Sequence, residues 1–151
     1  MGETYTTLKI YGPRGVEEVE ALVDTGTTFT KIPLSLGERL GLRVRRKVEV
    51  RLSDERVVER GLCYAEVEVD GVRDLIPVAL SGEGEAPLVG YTTLEILGFK
   101  INPVTASLER TLPVEYWLHV TFGLQGSSLL GSHPLELALG DSFKLSFRTV
   151  N

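Results

Sequence analysis

Apolar and polar residues alternate along most of the first two thirds of this 151-residue chain, with the two-residue period of half-buried strands. Tyr5 to Tyr11, rich in Thr, Tyr and Ile, predicts a strand that Gly12-Pro13-Arg14-Gly15 breaks. Val16 to Val23 predicts the returning strand, and its apolar end (Ala21, Leu22, Val23) runs into Asp24. Ser35-Leu36-Gly37-Glu38 has the Ser-x-x-Glu spacing of a capping box and Gly41 suits a helix stop, so a short helix is expected between them. Val44 to Leu52 alternates again, with Val44, Val48, Val50 and Leu52 against Arg45, Lys47, Glu49 and Arg51. Ser53-Asp54-Glu55-Arg56 then turns the chain and Val57-Val58 resumes it, which predicts a protruding hairpin over 48–60. Ala65, Val67 and Val69 alternate with Glu66, Glu68 and Asp70, Asp70-Gly71 is a two-residue hairpin signal, and Leu75 to Leu80 is the return strand.

The next block repeats the first in outline. Pro87-Leu88-Val89-Gly90 is an apolar run ending in glycine, Thr92-Thr93-Leu94-Glu95 offers a second capping box, and Leu97-Gly98-Phe99 matches Leu40-Gly41-Leu42. One β-rich template is used twice, and only the first copy carries an acid at its turn. Asp24 there has three readings. An Asx-turn would bond its side chain to its own backbone, with Gly26 relaxing the turn. Asp24-Thr25-Gly26-Thr27-Thr28 with Lys31 beyond is similar to the first phosphate loop of the sugar kinase and actin superfamily. Asp-Thr-Gly after an apolar run is also half of an aspartic protease's carboxylate pair.

Composition narrows these. A chain of 151 residues with 42% hydrophobic content suits one principal core, too small for two kinase-like lobes, and no second phosphate loop is found. The net charge of −5 argues against a nucleic-acid partner, and the basic run Arg43, Arg45, Arg46, Lys47 reads as a solvated face flanked by Glu38 and Glu49. Cys63 is the only cysteine, so the chain cannot close an internal disulfide; a reducing, cytoplasmic setting is expected. His119 and His133 are too few and isolated for a zinc site, so no metal or organic cofactor is expected. No apolar run reaches the roughly 18 residues of a membrane span, and the N-terminus lacks a basic-then-apolar leader pattern, so no membrane partner is expected.

The ordered combination Leu22-Val23-Asp24-Thr25-Gly26, polar-tipped hairpin, Leu88-Val89-Gly90, short helix and Leu97-Gly98-Phe99 resembles the retropepsins, the retroviral-type aspartic proteases, and especially their cellular bacterial and archaeal relatives. The resemblance covers roughly residues 5–112. It implies a closed, mainly antiparallel β barrel with one or two short helices, a hairpin flap near 50–58, and a homodimeric endopeptidase cutting protein or peptide substrates. Catalytic Asp24, Thr25 and Gly26 follow by position: Asp24 from each subunit holds the water, Thr25 ties the two loops together, and Gly26 admits the substrate backbone. Thr27 stands where Ala or Ser is usual, with a hydroxyl able to bond Asp24, and Thr28 and Phe29 replace acids common in the retroviral enzymes. The turn at Ser53 and Asp54 lacks the glycines of retroviral flaps, which implies a stiffer, more polar tip. Thr27, Thr28, Phe29, Ile32, Ser53, Asp54, Val57 and Leu88 are the candidate substrate-binding residues, although Phe29, Ile32, Val57 and Leu88 also fit simple core. An inactive homodimeric peptide-binding module on the same fold is the alternative, against which the intact Asp24-Thr25-Gly26 argues.

Residues 1–112 are thus expected to form the protease-like domain and 113–151 a C-terminal extension. Charged residues thin out there, while Trp117 and Leu135-Glu136-Leu137-Ala138-Leu139 offer further strands. In the retropepsins the termini build the dimer contact, so such an extension can strengthen, replace or block it.

Overall fold

In a computed structural model of the chain, Leu8 and Ile10 point inward from β1 (Thr4–Gly12) while Thr7 and Lys9 face out, as the alternation requires. The structure describes residues 2–115 and, as backbone strands, 117–122, 137–138 and 143–148. The chain divides into two units, Met1–Pro113 and Val114–Asn151.

In the first unit β1 turns back at Gly12–Gly15 into β2 (Gly15–Asp24), pairing Thr4 with Val23. Then follow β3 (Thr30–Pro33), helix α1 (Leu34–Leu40), β4 (Arg46–Arg51), β5 (Val57–Val69), β6 (Val72–Ser81), β7 (Leu88–Gly90), helix α2 (Tyr91–Leu97), β8 (Phe99–Asn102) and β9 (Ser107–Arg110). Six strands in the order β1-β2-β7-β3-β6-β5 close into a barrel, because β1 also pairs with β5, while β4 hangs from β5 alone. The expected closed barrel with two short helices is therefore present. Most of its pairings are antiparallel, but β2–β7 and β3–β6 are parallel. Parallel neighbours need crossovers, and these crossovers carry the loop after Asp24 and helix α1.

The barrel interior is filled by Leu8, Ile10, Ile32, Val67, Val69, Ile76, Val78 and Val89, all fully enclosed. Each such side chain contributes about 1.5–3 kcal/mol on leaving water. Cys63 lies among them and donates to the Val78 carbonyl at 3.4 Å; burial pushes its pKa up to about 11, which leaves the thiol unreactive.

Both helices stop where expected, at left-handed Gly41 (φ 73°) and Gly98 (φ 77°). After α1, Leu42 N bonds Gly37 O at 2.9 Å and Gly41 N bonds Glu38 O at 3.0 Å, the paired closure that a glycine makes possible. The two capping boxes are not formed. Pro33, in extended backbone, precedes α1, so Ser35 falls inside the helix and spends its N–H and hydroxyl on Glu83, at 2.9 and 3.0 Å. Gly90 precedes α2, and the amides of Tyr91 and Thr92 donate to the carbonyls of Thr27 and Thr28 at 2.7 and 3.0 Å. Long-range partners thus satisfy the first-turn donors that a capping side chain would otherwise serve.

The second unit contains β10 (Trp117–Phe122), β11 (Leu137–Ala138) and β12 (Phe143–Arg148), an antiparallel sheet in the order β10-β12-β11. Trp117 and Leu137-Ala138 lie in strands, as their apolar pattern suggests; Leu135, Glu136 and Leu139 lie outside the described residues. His119 is in β10, and His133 lies outside the described residues.

Candidate active site

Asp24 is the last residue of β2, where strand pairing with β7 ends at the register Asp24–Gly90. Because successive strand residues face opposite ways, the buried Val23 and Val89 place Leu22, Asp24 and Leu88 together on the outer face. Asp24 is half-buried there. Its Oδ1 accepts the Gly26 N–H at 2.8 Å and its Oδ2 accepts the Thr27 hydroxyl at 3.0 Å, while Thr27 N reaches the Asp24 carbonyl at 3.3 Å. The loop therefore contains the Asx-turn bond and, in addition, orients the second carboxylate oxygen through Thr27.

Five strands further along the chain, the second copy of the repeat holds this loop. Thr30, fully buried in β3, receives the Gly90 N–H at 3.1 Å and shares a 2.6 Å hydrogen bond with buried Thr93 of α2. Gly90 is packed so closely that a Cβ would lie 2.6 Å from the Phe29 carbonyl carbon and 2.8 Å from the Thr27 carbonyl oxygen. The Tyr91 and Thr92 amides on the carbonyls of Thr27 and Thr28 pin the 25–29 loop at these two residues. A carboxylate presented on such a loop is fixed before any ligand arrives, which is the condition for efficient acid–base work.

The other candidate residues divide. Thr25 is exposed and its hydroxyl makes no hydrogen bond among the described residues; Gly26 and Thr28 are also exposed, and Phe29 is half-buried. Leu88 is 8% exposed on the Asp24 face. Ile32, by contrast, is fully enclosed in the barrel core and offers no surface to a substrate. Val57 is also displaced: it pairs with Arg51, and the register puts it on the opposite face from Val58, Arg60 and Leu62. Its neighbour Val58, half-buried and paired with Val50, occupies the face that Val57 was expected to hold.

Ser53 and Asp54 form the exposed turn between β4 and β5. Leu52 N bonds Arg56 O at 2.8 Å, Glu55 adopts φ 70°, and Asp54 accepts from Arg56 through both its N–H (3.2 Å) and its Nε (2.6 Å). Self-bonded side chains replace glycines at this tip.

The sequence alone did not single out Thr30, Gly90 and Thr93 as supports, nor Leu22 and Lys31 as outer-face neighbours of Leu88. Counting in twos from Asp24 finds Leu22; the others require the β3–β7 pairing. Among the described residues no group of three His, Cys, Asp or Glu side chains is placed to hold a metal ion.

The model of a protein family described as aspartyl protease matches residues 6–93, more than half of the chain and including the whole of this loop and its supports. No curated protein matches the chain.

Proposed function

The chain belongs to the aspartyl protease family, and on that premise we propose that it is an aspartic endopeptidase acting as a homodimer, each subunit supplying one Asp24. The observation that carries this reading is the single carboxylate, half-buried and held by Gly26 and Thr27, at the glycine turn of the first copy of a doubled repeat whose second copy has Gly90 in the paired position. Hydrolysis by water needs a base and an acid at once. Two carboxylates in contact provide both, since like charges that close cannot both ionise and the pair keeps a proton; aspartic proteases are the standing example of this coupling. One barrel brings one such acid, so the second comes from a twin subunit.

In this mechanism a water lies between Asp24 and Asp24 of the partner subunit. The ionised member takes a proton from the water as its oxygen attacks the scissile carbonyl carbon, and the protonated member donates to the carbonyl oxygen. Collapse of the tetrahedral intermediate breaks the C–N bond, with a proton passing to the leaving nitrogen. Gly26 leaves space for the substrate backbone, exposed Thr25 is available to the partner loop, and the β4–β5 hairpin serves as the flap.

Cleavage of a mixed peptide library by the wild-type chain and by Asp24→Asn, from acidic to neutral pH, tests the reading. Cleavage is expected from the wild type, strongest on the mildly acidic side where the pair retains its proton, and abolished in the variant. Equal silence of the two proteins would leave the peptide-binding module as the better account, and equal cleavage would remove Asp24 from the chemistry.

A further inference from the structure

Lys31, Ala79 and Leu62 stand in register across β3, β6 and β5, and Lys31 also pairs with Leu88, so all four share the outer face that bears Asp24. Two residues beyond Leu62 and Ala79 on that face come Arg60 and Ser81. Glu85, in the β6–β7 connection, links two of these strands: its Oε2 accepts Lys31 Nζ at 3.0 Å and its Oε1 accepts Arg60 Nη2 at 2.5 Å. The cluster holds two cations and one anion, and the Arg60 side chain is only 16% exposed. Beside it, Ser81 Oγ is buried, in a residue 1% exposed, with no hydrogen-bond partner among the described residues.

We propose, building on the protease reading, that Lys31 and Arg60 form a subsite that selects an acidic side chain of the peptide substrate. Lys31 has three donors and Arg60 five, and Glu85 takes one from each. The remaining N–H groups meet an incoming carboxylate with a net positive charge behind them, in a partly desolvated site where charge-assisted hydrogen bonds are strong. The surroundings agree in sign. Residues 43–60, which include the β4–β5 hairpin, carry seven Arg and Lys against four Asp and Glu, a net +3 in a chain of net charge −5. The basic run at Arg43, Arg45, Arg46 and Lys47 thereby gains a role as a field favouring anionic peptides. Across Leu22, Leu88 and Lys31 the spacing is two strand widths, which puts Lys31 roughly 12 Å from Asp24 along the sheet. That is three or four residues of extended peptide.

The test pairs binding with cleavage. Fluorescent peptides differing only by Glu against Gln, or Asp against Asn, at each position are titrated onto Asp24→Asn protein, and the same peptides are offered to the wild type. One position is expected to favour the acid by about tenfold to hundredfold in Kd, and the preference shrinks as salt is raised. Lys31→Met should reduce it and Lys31→Glu should turn it toward Lys and Arg peptides. Equal affinity for acid and amide at every position overturns the subsite, as does a preference that survives Lys31→Glu. Because binding is read on the uncleaving variant, a wild type that cuts nothing counts against the protease reading alone, and the subsite is still judged by the titration.

Discussion

At the scale of single residues, Gly90 decides whether the acid loop is correctly held. Its missing Cβ leaves room for the Thr27 and Phe29 backbone, and its N–H is bonded to Thr30. In Gly90→Ala the added methyl meets backbone rather than a flexible side-chain end, so the loop itself must move. Overpacking of this kind costs on the order of 1–3 kcal/mol, and the displaced loop carries Asp24 with it. The variant should unfold at lower urea and lose peptide cleavage more steeply than its stability loss explains; an unchanged midpoint would mean that the close approach is relaxed in solution. Asp24 itself was legible as the end of an apolar run before a glycine turn, because that pattern is local. Ile32 and Val57 were misplaced for the opposite reason. Whether an apolar strand residue faces core or cleft depends on pairing register, and a slip of one residue reverses every side chain.

At the scale of elements, the helix stops at Gly41 and Gly98 could be read because left-handed backbone is glycine's own territory. The helix starts could not, since the acceptors that serve them lie far off in sequence, at Glu83 and in the Thr27–Thr28 backbone. The connection between β6 and β7 is fastened in the same long-range manner. Burial of Glu85 works to raise its pKa, but hydrogen bonds and charge from Lys31 and Arg60 outweigh this and hold the carboxyl below the usual glutamate range. A carboxyl whose pKa is lowered by folding stabilises the protein above its unfolded value, and that stability is lost as pH falls through the folded one. Glu85→Gln should therefore melt earlier than the wild type at neutral pH, with the gap closing as pH drops below about 4.3. Thermal melts from pH 3 to 7 measure this, and a gap that stays constant across the range would show that Glu85 contributes through shape rather than charge.

At the scale of the whole molecule, the doubled repeat with an acid in only one copy is what makes a dimer the economical reading. The repeat was visible as Leu-Gly-apolar endings, and the closed barrel was implied by the resemblance to the retropepsins; the two parallel pairings were not visible, because β2–β7 and β3–β6 join strands far apart in the sequence. If each active site takes Asp24 from both subunits, activity must depend on association and not on the number of chains alone. Specific activity should then fall on dilution below the dimer's dissociation constant. Adding a large excess of Asp24→Asn protein to a fixed amount of wild type should suppress cleavage, because wild-type chains are drawn into mixed dimers holding one carboxylate and one amide. A monomeric enzyme predicts neither effect: its rate per chain would be flat with dilution, and the variant would act only as a bystander competing for substrate, an inhibition that added peptide relieves. Suppression that persists at saturating substrate is thus the signature of a shared site, and its dependence on the mixing ratio reports how many Asp24 residues each site requires.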